Sequence, residues 1–257
     1  MKNSECMLTR LISFPHGLSA TWEEYSHVTG ETLLTRGVID DICKKRFEIA
    51  MQQRKLLQTE QQGCRFLTWP ATVSGPHFYG VALEKPNAYG TLRFRFISWM
   101  PQNEVKALGL RIPQPLTFFN SAPHYDSNKP LNVSPYHCLS RKTRLPKEFH
   151  TMDDKVLLSL IQNSLLNLRR YLNNNPKAEI IPLYSDYGVQ QFLAPLCLYG
   201  YENEATVQAA VIIREGNSLD YQYVATMITL GKAFKDASLH RDSKALQKSW
   251  LNNRHIS

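Results

Sequence analysis

Apolar residues recur at spacings of three and four between Met152 and Leu172. Leu158, Ile161, Leu165, Leu168 and Leu172 share one side of a 3.6-residue period, which predicts an amphipathic helix. Thr151 stands at the N-cap position with Asp153 and Asp154 behind it, Arg169 and Arg170 occupy the last turn, and Asn173, Asn174, Asn175 and Pro176 end the helix. Two apolar runs, Val207 to Ile213 and Tyr221 to Ile228, flank a turn rich in Gly, Asn, Ser and Asp and predict a hairpin buried on at least one face.

A second helix is expected over 37–58, with Asp40 and Asp41 in its first turn and Lys44, Lys45, Arg46, Arg54 and Lys55 further along, an order that suits the helix dipole. Its basic side could face a nucleic acid, but a solvated helix surface is the simpler reading. Residues 77–83 and 89–99 form two strands joined by a turn. Leu92, Phe94 and Phe96 share one face of the second strand and Arg93 and Arg95 the other, because strand side chains alternate. This aromatic and basic pair is similar to the RNA-stacking strands of an RRM, yet neither run completes that signature, so Phe94 and Phe96 are expected in the core.

The six prolines between Pro113 and Phe149 exclude one continuous helix or central strand there. An ordered irregular segment is expected instead, ending in the cationic cluster Arg141, Lys142, Arg144 and Lys147. Residues 231–257 predict one or two helices with Phe234, Leu246, Trp250 and Leu251 on the apolar side. No internal repeat and no Gly/Ser/Pro-rich linker divides the chain. The expected fold is α+β: a single domain over 1–257 with a mixed or antiparallel sheet, a long helix over about 152–172 and a C-terminal helical tail.

Composition adds a partner class to this picture. The 257 residues are 43% hydrophobic and 20% charged, ordinary for a folded domain, with 30 Lys and Arg against 22 Asp and Glu and a net charge of +8. That excess favours polyanions, RNA or other nucleic acid above all. Five cysteines with no CxxC spell neither a disulfide framework nor a zinc site, so a reducing cytoplasm is the expected compartment. No apolar run approaches the length of a membrane span, and no membrane partner is expected.

The signatures of NTPases, dinucleotide enzymes, zinc proteases, zinc deaminases and serine hydrolases are absent. Asp40 with Asp41 and Asp153 with Asp154 are explained by helix starts, so no metal and no cofactor is expected. The polar set with chemical potential is His137, Arg141, Lys142, Arg144, Asn175, Lys177, Tyr184 and Gln191. Rich in cations and poor in carboxylates, it suits phosphate binding, with arginine giving bidentate contacts and lysine a mobile charge. A metal-independent nuclease or a nucleotide-acting transferase would need an acid or base paired with His137, and the sequence offers no obvious one. A third expectation is a subunit of a ribonucleoprotein, with protein partners on the basic face.

The same residues carry a family resemblance. His137, Arg141, Arg144 and Pro146, then Asn175, Lys177, Pro182 and Tyr184, then Gln191, Pro195 and Leu196, and finally Thr229 and Leu230 follow the order of motifs in an uncharacterised bacterial and fungal domain family. The segment from His27 to Leu33 resembles that family's early Thr-Gly turn. The resemblance spans about 110–251 and implies an RNA-linked context, because such domains occur beside LOTUS (OST-HTH) and cold-shock RNA-binding domains. Ala233, Phe234, Ala237, Ser238 and Leu239 depart from it: the family's Tyr and Arg on the closing helix are missing here.

Overall fold

The computed structural model describes residues 7–29, 36–73, 77–86, 92–119, 124–174, 180–185, 190–201, 206–216, 220–241, 246 and 249–251. Its contacts divide the chain into two compact units, 1–118 with 241–244 and 119–240 with 245–257. The architecture is α+β, with a mixed five-stranded sheet in each unit.

The first unit opens with α1 (Met7–Leu11), the two-residue strand β1 (Ile12–Ser13), α2 (Gly17–Thr29) and α3 (Arg36–Gln52). Helix α3 stops six residues short of the expected 58. The Lys55 amide reaches back to the Ala50 carbonyl at 2.7 Å and the Arg54 amide to Met51 at 3.0 Å, the paired bonds of a Schellman stop. Arg54 takes the left-handed conformation there, with φ 55°. That region disfavours every residue with a Cβ, so Arg54→Gly is expected to raise stability by roughly 0.5–1 kcal/mol. A urea midpoint that does not rise would count against this stop.

The cations of α3 are mostly spent inside the unit, which favours the surface reading over a nucleic-acid face. Lys44 pairs with Asp40, now in the second turn, and Lys45 with Glu48 at 3.8 Å. Arg46 is buried and donates to Tyr25 Oη and the Ala71 carbonyl, each at 2.8 Å. Lys55 donates to the Pro115 carbonyl and to Thr117 Oγ1, and burial holds its ammonium below the usual lysine range.

The expected helix end becomes β2 (Leu57–Gln61), joined to β3 (Cys64–Pro70) by a two-residue turn whose residues Gln62 and Gly63 have φ of 53° and 72°. The meander continues through β4 (Phe78–Pro86) and β5 (Leu92–Pro101) to α4 (Gln102–Ala107). The strand order is β1-β5-β4-β3-β2, with β1 parallel to β5 and the other pairs antiparallel. Phe94 and Phe96 are buried, as expected from their alternation with exposed Arg93 and Arg95. A β-bulge at Ile97 then resets the alternation, so that Trp99 also faces inward. Trp69, Phe96, Trp99, Tyr25, Trp22 and Phe47 form one linked aromatic core, with ring centroids 5.1–6.2 Å apart. On the other face Val105 and Leu110 cover Tyr79 and Val81.

The Pro-rich stretch is ordered where it is described. It supplies β6 (Leu131–Asn132), α5 (Pro135–Leu139) and two 3-10 turns, Lys142–Arg144 and Lys147–Phe149, which bury Leu131, Cys138, Leu145 and Phe149. The long helix α6 (Asp154–Asn174) follows. Its N-cap is Asp153, not Thr151: the Asp153 carboxylate accepts from the amides of Lys155 and Val156 at 2.9 and 3.3 Å. Leu157 rather than Leu158 starts its buried stripe, which then runs through Ile161, Leu165, Leu168 and Leu172.

Strands β7 (Ile181–Leu183), β8 (Gln191–Leu196), β9 (Ala209–Glu215) and β10 (Gln222–Ile228) complete the second sheet, in the order β6-β10-β9-β8-β7. The predicted hairpin is β9–β10. Phe192, Ala194, Val211, Ile213 and Val224 pack under α6. The alternate residues Leu193, Ala210 and Ile212 are buried on the opposite face, where α7 (Leu230–Ser238) lies against β7 and β9. Thr229 caps α7 by accepting from the Lys232 amide, and in the tail beyond it Leu246 and Leu251 are buried.

Both units follow one plan: a two-residue strand, two helices, a four-stranded antiparallel meander and a closing helix, with the first strand parallel to the last. Both last strands carry a bulge, at Ile97 and at Ala225. The repeat is one of topology. Its core positions hold Trp22, Trp69 and Trp99 in the first unit and Ile161, Leu165 and Val211 in the second, so no repeat is visible in the residues. No helix among the described residues is long and apolar enough to cross a membrane.

Candidate nucleic-acid interface

The loop from His137 to Lys147 is fixed by the apolar side chains between its cations. Cys138 and Leu145 point into the core under α6, which turns their neighbours outward. His137 is half-buried on α5, and Arg141 and Lys147 are exposed. Lys142 pairs with Asp154 at 2.6 Å, at the start of α6. Arg144 donates to Thr226 Oγ1 at 3.1 Å and to the Met227 carbonyl, on the part of β10 that β6 is too short to pair. The guanidinium thereby covers an open strand edge. Two of the four loop cations are thus tied into the fold, leaving Arg141 and Lys147 turned to solvent.

The other predicted residues lie elsewhere in the second unit. Gln191 opens β8 directly opposite Arg214 of β9, and Arg214 Nη2 donates to Gln191 Oε1 at 3.3 Å. Tyr223 and Asn132 continue this row across β10 and β6, so four polar residues line up on one face. Tyr184 follows β7, half-buried and engaged with a partner. Asn175 and Lys177 lie outside the described residues, as does most of the Thr-Gly segment from His27 to Leu33. Burial pushes the Cys138 thiol up to about 11, so the cysteine next to His137 is a core residue and no thiolate nucleophile.

A denser cationic surface stands in the first unit. Lys85 of β4 and Arg93 of β5 are register partners, and Arg95 follows on the same face opposite Leu83. All three cations are exposed, and among the described residues none has a hydrogen-bond or ion-pair partner. By contrast, Arg65 on β3 lies 4.0 Å from Glu60 and 3.8 Å from Glu84. Like charges directly across a strand pair cost about 0.2–1 kcal/mol, so the fold alone gives no reason for Lys85 to face Arg93.

Beside this surface the Ile97 bulge and the start of α2 border an open cavity of about 420 Å3. Lys85 and Arg95 line it with positive charge, His16 with an imidazole, Pro15, Leu83, Phe96 and Ile97 with apolar groups, and Glu24 with a carboxylate that accepts from Ser98 Oγ at 2.7 Å. The first turn of α2 holds no acidic residue, so the positive end of its dipole is uncompensated there. The alternation of Arg93 and Arg95 was visible in the sequence. Lys85, His16 and Glu24 were not singled out, because only the strand register and the bulge bring them to one place.

A search of the curated proteins and a search of the solved structures return no match. A family model, by contrast, matches residues 19–248, so it starts inside α2 and takes in both units, where the resemblance seen in the motifs reached only 110–251. That model describes a domain of unknown function, DUF3825, and the chain belongs to this family.

Proposed function

We propose that the protein binds RNA or another single-stranded nucleic acid through phosphate contacts from its exposed cations. The observation that carries this reading is the trio Lys85, Arg93 and Arg95, crowded on one strand pair with no acidic partner among the described residues. A polyanion relieves that repulsion, and flexible Lys and Arg side chains on a strand pair can follow a sugar-phosphate chain. Arg141 and Lys147 add positive charge in the second unit. The proposed company of LOTUS and cold-shock domains in this family points the same way, by association only.

Arg93 gives the clean test, since it belongs to the trio but does not line the cavity. Fluorescence anisotropy with a labelled single-stranded RNA across a salt series is expected to show affinity falling steeply with salt. Arg93→Ala should flatten the slope of log affinity against log salt by about 0.7, the value of one single-strand phosphate contact. Arg93→Glu should weaken binding further while raising the urea midpoint, because it turns a like-charge pair with Lys85 into an opposite one. Binding that ignores salt, or that both variants leave intact, removes the proposal.

A further inference from the structure

We infer that the cavity between α2 and β5 binds a ribonucleotide by its phosphate monoester, either the phosphorylated end of a strand or a free nucleotide. The inference deepens the nucleic-acid reading and rests on it for the class of ligand. The volume of about 420 Å3 lies in the range of small-ligand sites, larger than a lone anion requires. Its lining divides by chemistry in the way a nucleotide does.

His16, Lys85 and Arg95 present two permanent positive charges and an imidazole, beside a first turn of α2 that holds no acidic residue. A phosphate monoester carries about −1.5 to −2 at neutral pH, whereas a diester linkage carries a single charge, so the monoester is the better match. Pro15 and Ile97, both exposed, offer apolar surface to a base, and Phe96 behind Ile97 is fixed by Phe14, Trp69 and Trp99. Glu24 would oppose a second phosphate but suits a hydroxyl donor. Ser98 holds the carboxylate by one oxygen, and the carboxylate's remaining lone pairs can accept from a ribose hydroxyl, the group that separates RNA from DNA.

The position also recurs in the fold. The cavity lies where the first short strand ends and the bulged last strand is left unpaired along its edge. In the second unit the corresponding edge of β10 is covered by Arg144. One copy of the plan is therefore closed by its own guanidinium at the place where the other is open.

Calorimetric titration of the full chain with the four ribonucleoside 5′-monophosphates, adenosine, dAMP and inorganic phosphate tests the assignment. At least one monophosphate should bind. Adenosine and phosphate should each bind at least tenfold more weakly than it does. His16→Ala should lower its affinity severalfold, and Glu24→Gln should narrow the difference between AMP and dAMP, with near-UV circular dichroism unchanged in both variants. Short RNAs with and without a terminal phosphate separate the two sources: a preference for the phosphorylated end assigns a strand terminus, and equal binding alongside tight monophosphate binding assigns a free nucleotide. If RNA binds with an Arg93-dependent salt response while no monophosphate binds and the end phosphate is ignored, the cavity assignment falls alone. If monophosphates bind and RNA does not, the nucleic-acid reading falls and the nucleotide site stands.

Discussion

Gly80→Ala is expected to destabilise the first unit by about 3 kcal/mol, among the largest effects available from adding one methyl group. Gly80 of β4 is the register partner of Trp69 of β3, and the indole lies flat over the space a side chain would occupy. A Cβ built there falls 2.2 Å from Trp69 Cε2 and Cζ2 and 2.7 Å from Cη2. Trp69 cannot swing aside cheaply, because it is almost fully buried and touches the rings of Phe47, Phe96 and Trp99. Relief must come from the backbone of β4 or from the whole aromatic core. Gly37→Ala is the control: at the start of α3 its new Cβ would meet no atom within 4 Å, and it should leave the urea midpoint unchanged or raise it. Equal midpoints for the two variants would contradict the packing of Trp69 on Gly80. Phe96 lines the cavity as well as the core, so Gly80→Ala should also weaken nucleotide binding.

The helices and strands legible in the sequence were those whose burial follows a single period. The stripe of α6, the β9–β10 hairpin and the Phe94 and Phe96 face of β5 all belong to that class. Where backbone conformation decided, the pattern misled. Arg54 ends α3 in a conformation that favours glycine, and Gln62 stands where a two-residue hairpin turn favours Asn, so neither the helix end nor β2 carried its usual marker. The cationic loop was legible as charge but not as geometry. Nothing in Lys142 or Arg144 says that one will meet Asp154 and the other the edge of β10, 82 residues on. The trio in the first unit was half-visible, because Arg93 and Arg95 alternate with aromatics, while Lys85 joins them only through register. The shared topology of the two units was beyond reach for a related reason. Binary patterns tolerate aromatic and aliphatic cores alike, so two copies of a plan can diverge until no residue repeat is left.

Raising the pH above 9 is expected to destabilise the second unit, because several groups buried there resist losing a proton. Burial pushes the thiols of Cys138 and Cys197 up to about 11 and about 12, from an ordinary value of 9.0. Tyr125, packed against Phe192, is pushed up to about 12 by burial and by Asp126. Tyr201 moves in the same direction, again chiefly by burial, while donating to the Pro195 carbonyl at 2.8 Å. In each case the folded value lies above the unfolded one. The stabilisation is therefore complete below the unfolded value and is lost as pH rises toward the folded one, since the unfolded chain releases protons that the folded chain retains. Between pH 9 and 11 the two thiols together cost about 2 kcal/mol per pH unit, a large part of the stability of a typical domain. In the first unit Tyr79 is raised by burial in the same way. Urea midpoints followed in a Trp250→Phe background by tryptophan emission, which then reports the first unit through Trp22, Trp69 and Trp99, and by hydrogen exchange of β8 to β10 should separate the two transitions. Replacing Cys138 and Cys197 by Ala should lower stability at pH 7 and remove most of the slope between about pH 9 and 10, leaving above that the slope of Tyr125 and Tyr201. A slope between about pH 9 and 10 that survives the double substitution would show that the buried thiols are not its source.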